Sequence, residues 1–316
     1  MTEDTAPPAA PEGPTRCGFV ALIGEPNAGK STLLNRMVGA KVSIVTHKVQ
    51  TTRARIRGVA LAPEQNAQVV FIDTPGLFRP RRKLDRAMVA AAWGGAEDAD
   101  VVALLVEAHR GVTEGVETIL SGLRDRAPRG RLILVINKID RVKAEQLLAL
   151  TAKLNEAADF EATFMISAEK GHGVEDLRAW LGERMPEGPW HYPEDQIADA
   201  PLRMIAAEIT REKLTLRLHQ ELPYQLTVET ESWEERKDGS VRIQQIIYVA
   251  RDGHKGIVLG KRGETIKVIG AESRTEIEAL LERKVHLFLE VKARPNWMEE
   301  SERYTHMGLD FTDTKG

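Results

Sequence analysis

Four short words occur in fixed order along this 316-residue chain, each at the end of an apolar run: GEPNAGKS at 24–31, DTPG at 73–76, NKID at 137–140 and SA at 167–168. Any one of them can arise by chance. Apolar β-prone runs that alternate with amphipathic helical stretches fold as a mostly parallel sheet with helices on both faces. In such sheets ligands sit beyond the carboxyl ends of the strands, where all four words fall.

The run at 17–23 leads directly into Gly24, and residues 31–38 have helical spacing. This is the strand–loop–helix setting that GxxxxGK[ST] requires. Gly24, Glu25, Pro26, Asn27, Ala28 and Gly29 form a loop whose N–H groups converge on phosphate oxygens, aided by the positive end of the next helix. Lys30 is expected to reach the β- and γ-phosphates and Ser31 to ligate Mg²⁺, with Thr32 beside them in the nucleotide-binding set. Asp73 ends the run at 69–72 and is expected to hold a magnesium-bound water. Gly76 is expected to offer its N–H to the γ-phosphate. A glycine-rich turn before a helix and a strand ending in a Pro-Gly turn are the bland alternatives, and the pairing of the two words disfavours both.

The third word selects the base. Guanine presents two adjacent donors, N1–H and the exocyclic amino group, and an ionised Asp140 accepts both. Against adenine a buried carboxylate would lose those partners, at a cost of about 1.5–3 kcal/mol for each bond to a charged group. Lys138 can lay its stem over the ring, and Asn137 can tie the loop to the phosphate-binding loop. In the fourth word Ser167 shapes the turn, and the Ala168 N–H can donate to guanine O6.

Residues 45–53 are polar and aperiodic, as expected of a loop that senses the magnesium ion. Thr52, with Thr51 as the alternative, is expected to contribute its hydroxyl to Mg²⁺ and its N–H to the γ-phosphate while GTP is bound. Many small GTPases carry a water-orienting Gln directly after the DxxG glycine. Leu77 stands there and cannot polarise water. Slow intrinsic hydrolysis follows, with no side chain marked as catalytic, and Asn27 is a candidate ligand for an assisting K⁺.

The chain has length for two domains, each with its own core. Its one cysteine, Cys17, permits no internal disulfide and fits a reducing cytosol. No apolar run approaches the roughly twenty residues of a membrane span. Residues 1–16 are acidic and rich in Pro and Ala, and are expected to form a disordered tail without a signal pattern. The net charge of −3 does not mark a nucleic-acid binder, and residues 201–316 carry 19 Lys+Arg against 20 Asp+Glu. Any RNA site must therefore be a local patch.

The expected organisation is an α/β P-loop GTPase domain at 17–185, a proline-rich linker at 186–200, an α+β domain at 201–295 and a tail at 296–316. Helices are expected at 114–123, 144–157 and 173–185. After the linker come a helix to about 219, a hairpin of strands at 224–231 and 241–251 around Asp238-Gly239, a Gly-x-x-Gly segment, a helix to 283 and a strand at 285–291. This order resembles a type II KH domain, in which Gly260-Lys261-Arg262-Gly263 would clamp the backbone of about four unpaired nucleotides. Lys255, Gly256 and Lys267 flank that loop, and Ile257, Val258 and Leu259 are expected to line an apolar groove for bases. A helix–turn–helix corner with two solvated cations is the plainer alternative.

With both halves in view, the chain resembles the Era family, bacterial GTPases with a C-terminal KH domain. The words that carry the resemblance are GEPNAGKSTLLN, KVQTTR, DTPG, NKID, SAEKG, ELPY and HKGIVLGKRG. Leu77 in place of Gln and Asn27 in the phosphate-binding loop are features of that family too. The resemblance implies binding to the 3′ end of 16S rRNA and a role in maturing the 30S subunit. It further implies a monomeric cytoplasmic protein that associates peripherally with the inner membrane. Two other readings share many of the words: a GTPase that docks to membranes or proteins, and an RNA binder with a relic nucleotide domain.

Overall fold

The computed structural model describes residues 13–46, 48, 52–53, 56–80, 82–126, 128, 130–219, 222–295, 297–300, 304 and 309. The first half alternates β1 (Arg16–Gly24), α1 (Lys30–Val38), β2 (Ile56–Ala62), β3 (Ala67–Asp73), α2 (Lys83–Glu97), β4 (Val101–Glu107), α3 (Glu114–Arg126), β5 (Arg131–Asn137), α4 (Ala144–Ala157), β6 (Ala162–Ile166) and α5 (Val174–Arg184). The strands form one sheet in the order β2-β3-β1-β4-β5-β6. All neighbours are parallel except β2, which runs antiparallel to β3 at the edge. Strands β3 and β4 are buried from end to end, as apolar runs covered on both faces must be. One core packs Leu33, Leu34, Leu177 and Leu181 of α1 and α5 on one face, and the other packs Ile119, Leu120 and Leu154 of α3 and α4 on the opposite face.

Every nucleotide word lies at the carboxyl end of β1, β3, β5 or β6, so the right-handed crossovers bring all four to one rim. The segment after α5 covers the exposed edge of the sheet. The Val59 N–H donates to the Ile197 carbonyl, the Asp199 N–H to the Arg57 carbonyl, and Gln68 bonds the backbone of His191 and Tyr192. An edge strand closed in this way offers no template for a further strand.

The second half comprises α6 (Leu202–Arg217), β7 (Leu226–Glu235), β8 (Val241–Val249), α7 (Asp252–Leu259), α8 (Glu264–Leu281) and β9 (Val285–Ala293). Strands β7 and β8 form the expected hairpin, and β9 adds parallel to β8. A bulge between Thr230 and Ser232 shifts the hairpin register. The order helix–strand–strand–helix–helix–strand is that of a type II KH fold. Beyond β9, Trp297, Tyr304 and Leu309 are buried, the last two against Leu84, Ala87 and Met88 of α2. Tyr304 and Leu309 therefore pack back onto the first half. The sequence reading assigned no role to them.

Candidate functional site: a nucleotide cleft and an exposed Gly-x-x-Gly loop

The rim holds a cleft of about 540 Å³ lined by Pro26, Asn27, Gly29, Lys30, Ser31, Thr32, Thr52, Gly76 and Lys138, among others. Its floor is tied together by one amide. Asn137 donates from Nδ2 to the Ala28 carbonyl at 2.9 Å, and its Oδ1 accepts the Lys138 and Ala168 N–H groups at 2.8 and 3.0 Å. Three of the four words thus meet at a single buried side chain. Gly29 faces it with φ +96°, and a Cβ there would lie 2.2 Å from Asn137 Nδ2, so no other residue fits. The Ala168 N–H, assigned from sequence to guanine O6, donates to Asn137 Oδ1.

Lys138 adopts a left-handed backbone (φ 63°) and stretches its ammonium to the Asn27 carbonyl at 2.7 Å and to Glu107 at 2.9 Å. Asp140 is exposed, not buried as the sequence reading held, because it lies in the short turn just past the end of β5. A hydrogen bond from the Ser167 hydroxyl holds its carboxyl below the ordinary aspartate value, so it is ionised and accepting at neutral pH.

At the phosphate end Lys30 is buried and donates to the carbonyls of Gly24 and Glu25 at 3.2 and 3.0 Å. Burial pushes its ammonium down to about 8. An incoming phosphate would replace weak carbonyl acceptors with charged ones. Gly76 packs so closely on the phosphate-binding loop that a Cβ would lie 2.7 Å from the Pro26 nitrogen, and the Leu77 N–H donates to the Gly24 carbonyl at 2.9 Å. The Leu77 side chain turns away into the core beside Ala21 and Ile23.

Next to Lys30 lies a nest of oxygens. Asp73 Oδ2 accepts from the hydroxyls of Ser31 and Ser43, each at 2.7 Å, and Thr52 Oγ1 lies 2.9 Å from Ser31 Oγ. Among the described residues Asp73 Oδ1 is buried with no hydrogen-bond partner, and burial pushes the carboxyl up. An orphaned carboxylate oxygen amid hydroxyls fits a hard cation with oxygen ligands, as Mg²⁺ is. Thr51 lies outside the described residues.

Sequence reasoning missed Ser43, and also Glu107, which is 8% exposed at the end of an otherwise apolar strand. A charge closing an apolar run was the available signal. Arg110, Arg141 and Glu169, which line the open side of the cleft, carried none.

In the second half Gly260 and Gly263 have φ of 75° and 78°, and Lys261 and Arg262 between them are exposed. Ile257 and Leu259 are 57% and 38% exposed. Val258 is fully buried in the KH core with Leu214 and Ile269, which corrects its assignment to the groove. Lys255 is half-buried; Gly256 and Lys267 are exposed.

Comparison with known proteins gives the family and the fold. Residues 19–138 match the model of the 50S ribosome-binding GTPase family and residues 221–298 that of the KH domain. GTPase Era of Dinoroseobacter shibae is 73% identical over 99% of both chains, and GTPase Era of Sinorhizobium medicae is 62% identical over 98% of this chain and 99% of its own. The chain belongs to the Era family of GTPases. Two solved structures, both 36% identical with a TM-score of 0.87, cover 93% of this chain and 99% of their own. One is Era with MgGDPNP and nucleotides 1506–1542 of 16S ribosomal RNA, and the other is an Aquifex aeolicus Era variant bound to GDP·AlF4⁻. As an Era-family member the chain is a GTP hydrolase.

Proposed function

We propose that this GTPase is a nucleotide-controlled RNA clamp that binds the 3′ end of 16S rRNA and acts in assembly and rRNA maturation of the 30S subunit. The observation that carries this reading is the presence, in one chain, of a nucleotide cleft built around Asn137 and a Gly-x-x-Gly loop with both cations exposed. In the cleft, the loop from Gly24 to Gly29 and Lys30 hold the phosphates. Asp140, Lys138 and the turn at Ser167-Ala168 hold guanine. Ser31, Thr52 and, through water, Asp73 would hold Mg²⁺, which when bound offsets negative charge on the phosphate oxygens. Thr51 stays the alternative to Thr52.

With Leu77 in the core, no side chain of this loop orients water. Hydrolysis then rests on backbone N–H groups and on positioning. Potassium held near Asn27 would add to this, and equal turnover in K⁺ and Na⁺ would argue against it. On the RNA side, Gly260, Lys261, Arg262 and Gly263 grip phosphates, with Lys255, Gly256, Ile257 and Lys267 alongside. GTP orders Thr52 and the Gly76 region, which changes the contact between the halves and opens the KH groove. The domains are taken as 17–185 and 201–295, and the protein as a cytoplasmic monomer with peripheral contact to the inner membrane. The test is magnesium-dependent phosphate release from GTP, measured beside binding of an oligonucleotide with the 3′-terminal 16S sequence. Failure of either activity overturns the reading.

A further inference from the structure

Three cations of the segment between α1 and β2 leave the nucleotide half and end in the KH half. Arg53 is 3% exposed; its guanidinium donates to the carbonyls of Leu226 and Pro223 at 2.8 and 3.0 Å and lies 5.9 Å from the centre of the Trp297 ring. The Lys48 ammonium donates to the carbonyls of Thr215 and Leu218, at the end of α6. Lys41 pairs with Glu212 at 2.6 Å and Glu276 at 2.5 Å, and Glu212 also accepts the Val45 N–H at 2.8 Å. The other side of the same segment faces the magnesium nest through Ser43 and Thr52.

Consecutive Cα atoms are about 3.8 Å apart across a trans peptide. A side chain locked at 53 therefore leaves its neighbour at 52 little room to move. Arg53 enters a pocket of main-chain carbonyls, which a planar donor fork satisfies and a neutral side chain does not. Part of the ordering of Thr52 that nucleotide binding would demand of a free loop is thus supplied by the KH half, and the bound nucleotide completes it.

We propose that Arg53 is a positioning residue for GTP hydrolysis: the KH half, by holding its guanidinium, sets Thr52 against Ser31 and so completes the magnesium side of the nucleotide site. This rests on the assignment of Thr52 to Mg²⁺ made above. It adds that the RNA-binding half is a structural part of the hydrolytic site, beyond being its reporter.

The test is steady-state GTP hydrolysis by the full chain across a Mg²⁺ titration, for wild type, Arg53→Met, Arg53→Lys, Thr52→Ala and the double variant Thr52→Ala/Arg53→Met. The expected result for Arg53→Met is a several-fold to tenfold rise in the Mg²⁺ concentration for half-maximal turnover and a fall in kcat, with KM for GTP moving less. Arg53→Lys should recover part of the loss. In the Thr52→Ala background Arg53→Met should add nothing, since both act on one interaction. Glu212→Met, which removes the acceptor of the Val45 N–H and leaves Lys41 with Glu276, should shift the Mg²⁺ dependence the same way and serves if Arg53→Met does not melt cooperatively. Unmoved Mg²⁺ dependence in the folded variants, or effects that multiply in the double variant, would overturn the inference while leaving the GTPase assignment intact. Absence of hydrolysis by wild type would overturn that assignment and this inference with it.

Discussion

The two halves set their loop cations in opposite surroundings. In the nucleotide cleft the cation is buried, its ammonium rests on carbonyls of its own loop, and the loop is pinned by an amide that joins three sequence words. In the KH half Lys261 and Arg262 stand in solvent between two glycines of positive φ. A preorganised, desolvated cradle gives strong and selective binding because its dipoles need no rearrangement, whereas exposed cations give attraction that salt screens. The first suits a small ligand of fixed shape and the second a flexible polymer.

The largest expected effect tests the selectivity of the cradle. Asp140→Asn removes a charged acceptor of two guanine donors, about 1.5–3 kcal/mol each, so GDP affinity should fall by roughly 10²–10⁴-fold. Xanthine, with a carbonyl where guanine has its amino group, should bind the variant better than guanine does. Equilibrium titration with both nucleotides reads this, and an unchanged guanine preference would break the account of the base site.

Next in size is the exposed loop. Lys261→Glu combined with Arg262→Glu should weaken binding of a single-stranded 16S 3′-end oligonucleotide by roughly ten- to a hundredfold near 0.1 M salt, with the thermal melt as the folding control. RNA affinity of the unaltered chain should fall with salt at a log–log slope no steeper than about −3, from the four cations Lys255, Lys261, Arg262 and Lys267. Affinity for a docking protein or membrane, with the RNA signal unmoved, would favour the competing function.

A third prediction concerns the buried lysine. Its ammonium lies near 8 in the free chain and must be charged to hold phosphate. Binding therefore takes up a proton as pH rises past 8, and GDP affinity should drop about tenfold between pH 7 and 9. Lys30→Arg, which stays charged, should flatten that slope if it still binds. A flat profile for the unaltered chain would contradict the burial argument. The smallest expected effect is Leu77→Gln. The side chain lies in the core, so the amide cannot reach a water on the nucleotide. Turnover should change less than threefold while stability drops by about 1–3 kcal/mol; a tenfold gain in turnover would show that the loop can swing outward.

Much of the first half was legible because a phosphate cradle constrains the chain severely. Gly29 and Gly76 sit where a Cβ would strike a neighbour, and Lys30 and Ser31 must follow at fixed positions. What escaped has physical causes. Residues 257–259 read as one apolar face, but successive residues on a helix point about 100° apart, so Val258 turned inward while Ile257 and Leu259 stayed out. Asp140 was expected to be buried, but it lies in the turn just past the end of β5 and is exposed. Arg53 escaped because its acceptors are main-chain carbonyls, which every residue possesses and no sequence word can mark. Packing of Tyr304 and Leu309 on α2 depends on the fold bringing distant segments together, which local pattern does not encode.

The coupling between the halves is tested most directly by the affinity of one protein preparation for the 16S 3′-end oligonucleotide in three states: with a non-hydrolysable GTP analogue and Mg²⁺, with GDP, and without nucleotide. Several-fold tighter binding in the analogue state is the expected result. Equal affinity in all three would mean that the cleft and the Gly-x-x-Gly loop share a chain without sharing a switch.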